Sequence, residues 1–555
     1  MANLENGDKK YTTLLNEIET GQIKIPQFQR QFVWELGLSA RLIDSILKGY
    51  PIGTFIYWRT NERLRSIRNV GNIVLPEPKD GEFVNYVLDG QQRITSLFAA
   101  LKGETIEREN GKKEDFSKIF VDLSAEADEN MVIVDISGKN ESSIIKLTDL
   151  MFERGKVIYN NYPEQFHDKI DRYKEILQGY QFKGINLKDA EIDVATEVFT
   201  RLNVGGKDLS LFEIMVAKTY DPNKNFDLYD KFQELVDDLE PSKYDTISSA
   251  NVLQLISLML ARECKRKTIL KLDKQEFINT WDDAVSAIKS SVDFFRSYGI
   301  PVSRLLPYNT LIVPFAYFFH HHPNNPTGEK LRLLIDFFWR VSIGFRYSSA
   351  VESKLVQDID KIDKILKEEH PKYEWAVNYS PEFIRKQGYF GTGRSLIKAL
   401  LCLFAMHKPK SFDNHLDVNI DNSWLKIATS KNYHHFFPKA FMRKNQPEWE
   451  AWEVNHIANI TIVDGYLNKN KIRAKAPSVY MSTFKKQNDQ LNETMKTHLF
   501  GDLELFGIWD DDYSRFFENR ILVISQELGK RIIDQESESS LEQYEDIDET
   551  DENEY

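Results

Sequence analysis

Apolar positions along the first 220 residues switch repeatedly between two periods. Phe83 to Leu88 reads Phe-Val-Asn-Tyr-Val-Leu, a short apolar run of strand length. Gln91 to Leu101 follows with apolar residues at 94, 97, 98 and 101, the spacing of one helix face. Ile119 to Leu123 and Met131 to Ile136 predict two more strands. From about 225 to 405 the helical period dominates, as in Asn251 to Arg262 and Leu331 to Ser342, and beyond 410 the pattern is mixed again. The expectation is an α+β multidomain chain: an α+β part at 1–225, a helical connecting region at 226–409, a mixed C-terminal part at 410–533 and a tail at 534–555.

At 555 residues the chain is too long for a single core, and 41% apolar content gives each part material to bury. Leu253 to Leu260 and Leu311 to Phe319 are too short to span a bilayer, and Met1 to Gly7 lacks the apolar core of a signal peptide, so no membrane partner and a cytoplasmic location are expected. The two cysteines, Cys264 and Cys402, cannot form a four-cysteine zinc cage and fit a reducing compartment.

A net charge of −13 argues at first against a nucleic-acid partner, but the distribution of that charge points the other way. Asp534 to Tyr555 holds 11 acidic and no basic residues, so the rest of the chain is close to neutral. Such a tail is expected to be disordered and either to solubilise the protein or to shield a basic surface. Lys431 to Lys475 carries 8 Lys/Arg against 4 Asp/Glu, which permits phosphate contact.

The candidate chemistry of the C-terminal part lies in that basic stretch. Tyr433-His434-His435-Phe436-Phe437-Pro438-Lys439 is followed by Asn459 in an apolar stretch ending at Val463, then by Asn468 and Lys471. In an extended chain successive side chains face opposite ways, so His434 and His435 divide the work. His435 is placed to take a proton from water, because imidazole titrates near neutrality. His434 is free to hold a cation that would neutralise charge on a phosphate.

These residues resemble the His-Asn-His (ββα-metal) nuclease family in its His-His-x-x-Pro variant, over about the last quarter of the chain. The resemblance implies His435 as general base, His434 and Asn468 as ligands of a divalent metal (Mg or Mn), Asn459 as the brace of the loop, and Lys471 as a phosphate-facing lysine. The long interval from His435 to Asn459 departs from the pattern and implies an insertion near Gln446 to Trp452.

In the first part, Val87-Leu88-Asp89-Gly90-Gln91-Gln92-Arg93 carries a strand into a helix. Asp89 and Gln92 have the spacing of a capping box, and a helix N-terminus with Gln91 and Arg93 suits an anion. A capped helix whose Arg93 pairs with a carboxylate explains the same residues equally well. Two further segments extend the pattern: Ile25-Pro26-Gln27-Phe28-Gln29-Arg30-Gln31-Phe32-Val33-Trp34, and Phe199 to Ser210 with Arg201, Asn203 and Gly205-Gly206, where Ser210 and Glu213 can cap a helix.

In this order the three segments resemble the ParB/sulfiredoxin-like domain at the front of GmrSD- and SspE-type restriction proteins, over roughly residues 10 to 220. That resemblance implies NTP binding and hydrolysis (GTP, UTP or ATP) and sensing of modified DNA. Asp89, Gln91, Gln92 and Arg93 would form the phosphate site, with Gln29, Arg30, Arg201 and Asn203 approaching it.

Gly388-Tyr389-Phe390-Gly391-Thr392-Gly393-Arg394 approximates a phosphate loop with Arg for Lys, but Ser380 to Lys386 before it does not read as the required strand. His320-His321-His322 closes an apolar helix, where histidines complement the dipole. Together the two resemblances imply a modification-dependent, NTP-regulated DNA endonuclease or nickase of bacterial antiphage defence, with room for a homo-oligomer. Two alternatives stand beside it: a non-cleaving ParB-like nucleotide-switch regulator, and an RNase toxin with the same metal site.

Overall fold

The computed structural model describes residues 3–26, 32–62, 81–107, 113–126, 129–202, 210–221, 223–422 and 433–535, with a few positions between 64 and 78. The chain divides into two compact units, Met1–Leu228 and Tyr229–Tyr555. Mixed α and β structure fills the first. Helices dominate the second.

A five-stranded sheet organises the first unit. Its strands are β1 (Asn3–Asn6), β2 (Ile23–Lys24), β3 (Phe55–Thr60), β4 (Val84–Asp89) and β5 (Gly184–Lys188), in the order β1-β5-β3-β4-β2. β3 runs antiparallel to β4 and parallel to β5. Aromatic and β-branched residues suit both faces of such strands. On one face Phe55, Tyr57 and Val87 join the core with α1 (Tyr11–Glu19), α2 (Leu36–Leu47) and α3 (Gln91–Lys102). On the other, Trp58 and Tyr86 lie 5.9 Å apart, and the Trp58 indole N–H donates to Ala190 O at 3.0 Å. There α4 (Ile192–Leu202) lies along β4, and α5 (Leu211–Thr219) follows with the Ser210–Glu213 capping box formed.

The strand expected at Met131 to Ile136 is only Val132–Ile133. Asp44 Oδ1 takes the N–H groups of Met131 and Val132 at 2.7 and 3.1 Å, and Asp135 turns the chain by accepting from Ser137 N at 2.9 Å. A side chain distant in sequence thus replaces ladder partners.

Helices of the second unit include α6 (Ser249–Ala261), α7 (Lys274–Ser297), α8 (Ile312–His321), α9 (Gly328–Ile343), α10 (Val351–Leu366) and α11 (Ser395–Met406). Phe294, Phe295, Phe315 and Phe338 fill the space between α7, α8 and α9. On α9 the buried pair Asp336–Arg340 (3.1 Å) also grips the backbone of Ile533, and Gln535 exchanges two 2.9 Å bonds with the backbone of Tyr373. Residues 536–555 of the acidic tail lie outside the described residues.

The rest of the unit is built on a two-stranded hairpin, β6 (Tyr433–His435) and β7 (Ile460–Ile462), antiparallel with His434 opposite Thr461. Around it stand α12 (Lys439–Asn445), a π-helical turn at Leu467–Ile472, α13 (Pro477–Gln487) and α14 (Tyr513–Gly529). Among the described residues no helix is long and apolar enough to cross a membrane.

Candidate functional sites

In the first unit the strand-to-helix motif takes a form that the local pattern does not predict. Gly90, not Asp89, precedes the first helical residue, and its φ of 95° requires a residue without Cβ. An added Cβ would stand 2.4 Å from the Phe55 ring. Asp89 therefore sits one position too early to cap α3, which has no side-chain cap. It accepts instead from Arg93 Nη2 at 3.0 Å. Gln92 does not reach back either; its Oε1 accepts from Val33 N at 2.8 Å and Trp34 N at 3.4 Å.

The remaining guanidinium bonds of Arg93 run to backbone: Nη1 donates to Ile52 O at 2.8 Å and Nη2 to Thr54 O at 3.1 Å, over the Phe55 ring. Gln91 and Gln92 are buried. The structure thus joins two of the three motifs through Gln92. Arg201 is exposed and pairs with Glu197 of its own helix at 2.5 Å. Gln29, Arg30 and Asn203 lie outside the described residues.

In the second unit the hairpin separates the two histidines. His435 is half-buried and His434 fully buried, as alternation along β6 demands. The His434 ring lies 5.9 Å from Tyr480, 6.2 Å from Phe412 and 6.3 Å from Phe436. Burial pushes its pKa down to about 3, so the ring is neutral, and among the described residues its Nε2 has no hydrogen-bond partner. His435 donates from Nε2 to Asn455 Oδ1 at 2.9 Å; burial first, then the nearby Lys439 charge, bring it down to about 4 against the opposing effect of that bond.

Asn459 is buried and ties the loop after β6 to the turn before β7. Its Oδ1 accepts from Phe437 N at 2.8 Å, and its Nδ2 donates to Phe437 O at 3.0 Å and Val454 O at 2.9 Å. Asn468 falls in the π-helical turn, not an α-helix, and its Nδ2 donates to Tyr433 O at 3.4 Å, beside His434. Lys471, expected to face phosphate, is paired with Asp413. The exposed cation beside His435 is Lys439.

A divalent ion needs a neutral imidazole, and the unpartnered Nε2 of His434 is that kind of donor. Its side chain is closed off by aromatic neighbours, so loading requires them to shift. Among the described residues no three His, Cys, Asp or Glu side chains gather into a metal cage. Ligation would therefore rest on His434, Asn468 and oxygens of water and phosphate.

Sequence reasoning missed Asn455 and Lys439 as parts of this site. Lys439 directly follows the His-His-x-x-Pro run and could have been found from it. Asn455 lies 20 residues after His435, and nothing local marks it.

Residues 11–220 match the family model of the GmrSD restriction endonuclease, N-terminal domain. Over 530 residues the chain is also 26% identical to an uncharacterized protein of Methanocaldococcus jannaschii, with 86% of this chain and 87% of that protein covered. That similarity extends well beyond residue 220.

Proposed function

We propose that the chain is a metal-dependent DNA endonuclease or nickase of the restriction type, regulated by NTP through its first unit and directed at modified DNA. The match of residues 11–220 to the GmrSD restriction endonuclease N-terminal domain supports a restriction role and DNA as the partner. The observation that carries the nuclease reading is the hairpin. It holds His435 and His434 on opposite faces of β6, with Asn459 clamping the loop and Asn468 reaching the same strand.

In this reading His435 accepts a proton from water, the resulting hydroxide bonds to phosphorus, one P–O ester bond breaks, and the leaving alkoxide takes a proton from solvent. Lys439 faces the phosphate. A divalent ion held by His434 and Asn468 would supply charge neutralisation when bound. Incubation with modified and unmodified phage DNA, with and without NTP and Mg²⁺, tests the proposal. Cleavage confined to modified DNA with metal and nucleotide is expected; no cleavage under any combination sinks it. The enclosure of His434 favours a second reading, a non-cleaving nucleotide-switch regulator, and the same assay separates the two.

A further inference from the structure

The glycine-rich run Gly388 to Arg394 follows a helix, Pro381–Gln387, rather than the strand a phosphate loop requires, and it packs against the hairpin. Gly388 O accepts from Ile457 N at 2.8 Å, and Phe390 N donates to Asn455 O at 2.9 Å. The Phe390 ring meets that of Tyr433 at 5.0 Å. Only glycine fits at 388, since a Cβ there would stand 2.2 Å from His456 Nε2. Arg394 stiffens the loop by donating to Gln387 O at 2.7 Å and Tyr389 O at 3.0 Å.

Asn455 sits between this loop and His435. Its Nδ2 donates to Phe390 O at 3.2 Å, which fixes the orientation of the amide and turns Oδ1 toward the ring. The His435 nitrogen facing that oxygen, Nε2 at 2.9 Å, must then carry the proton. The other nitrogen, Nδ1, is left as the acceptor.

We propose that Asn455 is the positioning residue of this site: held by the 388–394 loop, it locks His435 in the Nε2–H tautomer and so assigns Nδ1 as the atom that takes the proton from water. The proposal rests on the nuclease reading for its kinetic consequence, but the tautomer itself exists without DNA or metal. It also gives the unassigned glycine-rich run a role, that of a backbone support whose carbonyl at Phe390 sets the base.

The test uses the full chain and its Asn455→Leu variant, with Asn455→Asp as the variant that keeps an acceptor and His435→Ala as control. Long-range ¹⁵N correlation of the imidazoles reads the tautomer, and cleavage kinetics read the rate. In Asn455→Leu the Nε2–H signature of His435 is lost and kcat falls about tenfold or more, with KM within about twofold. Asn455→Asp restores both. Should the leucine variant not fold, Asn455→Ser, too short to reach the ring, takes its place. An unchanged kcat overturns the proposal, as does a fall in kcat with the Nε2–H tautomer intact, which would mark Asn455 as merely structural. A wild type that cuts no DNA overturns the nuclease reading instead, while the tautomer measurement still decides the role of Asn455.

Discussion

Gln92 accepts a hydrogen bond from Val33 N at 2.8 Å, and this contact joins two residues 59 positions apart in the chain. Both segments lie within the match to the GmrSD restriction endonuclease N-terminal domain. The buried amide works as a backbone partner, so Gln92 shapes the candidate nucleotide site by placing the 33–34 segment beside the start of α3.

His435→Ala is expected to abolish DNA cleavage while leaving nucleotide turnover by the first unit intact. Loss of a general base costs a factor of roughly 10² to 10⁴. Cleavage and hydrolysis rates measured on one preparation check this, and near-normal cleavage would remove His435 from the mechanism.

Arg93→Ala is expected to lower the melting temperature of the first unit. The change removes bonds to Ile52 O, Thr54 O and Asp89, with a loss of about 1–3 kcal/mol. Arg93→Lys does not recover it, because an ammonium cannot span the same three acceptors as the planar fork. Calorimetry reads the stability, and NTP hydrolysis per folded molecule shows whether the guanidinium also serves a phosphate.

Asn459→Ala leaves Phe437 N, Phe437 O and Val454 O without their partner in a buried setting. The expected destabilisation of the second unit is about 2–4 kcal/mol, since orphaned buried groups cost more than the bond itself gains. Denaturant unfolding measures it; a change below about 0.5 kcal/mol would show that the clamp is dispensable.

Acid sensitivity should reside in the second unit. Burial lowers His456 to about 4 and His498 to about 3, although backbone carbonyls of Ile384 and Lys410 partly oppose the shift. Both rings are neutral when folded, and the unfolded chain binds protons below about pH 6.5. Their full contribution is therefore present above pH 6.5. It is lost as pH falls toward 4 and then 3, at up to ~1.4 kcal/mol per pH unit for each histidine. The first unit has a single histidine, His167. Melting scans from pH 7 to 4 that shift both units equally would contradict the assignment.

Where a single period rules, the sequence was easy to read. The strand expected at Phe83 to Leu88 is Val84–Asp89, and the helix expected at Gln91 to Leu101 is Gln91–Lys102. The helical period at Leu331 to Ser342 lies within the helix Gly328–Ile343. Local reading failed where a distant group decides. The capping pattern of Asp89 and Gln92 looked complete, but Gly90 in a left-handed turn displaced the first residue, and backbone from Val33 took the glutamine. Lys471 has the expected position in its motif, yet Asp413, 58 residues earlier, claims its charge. Asn455 carried no local sign because its two partners come from different parts of the chain.

The latch at the end of the described chain bears on how the protein is made. Asp336 and Arg340 complete their bonds with the backbone of Ile533, almost 200 residues later. During synthesis from the N-terminus this buried pair stays incomplete until Ile533 has emerged from the ribosome. The hairpin that holds His434 and His435 lies between the two ends of that latch. A truncated product released before Ile533 would thus contain every residue of the candidate site without the closure of the unit around it.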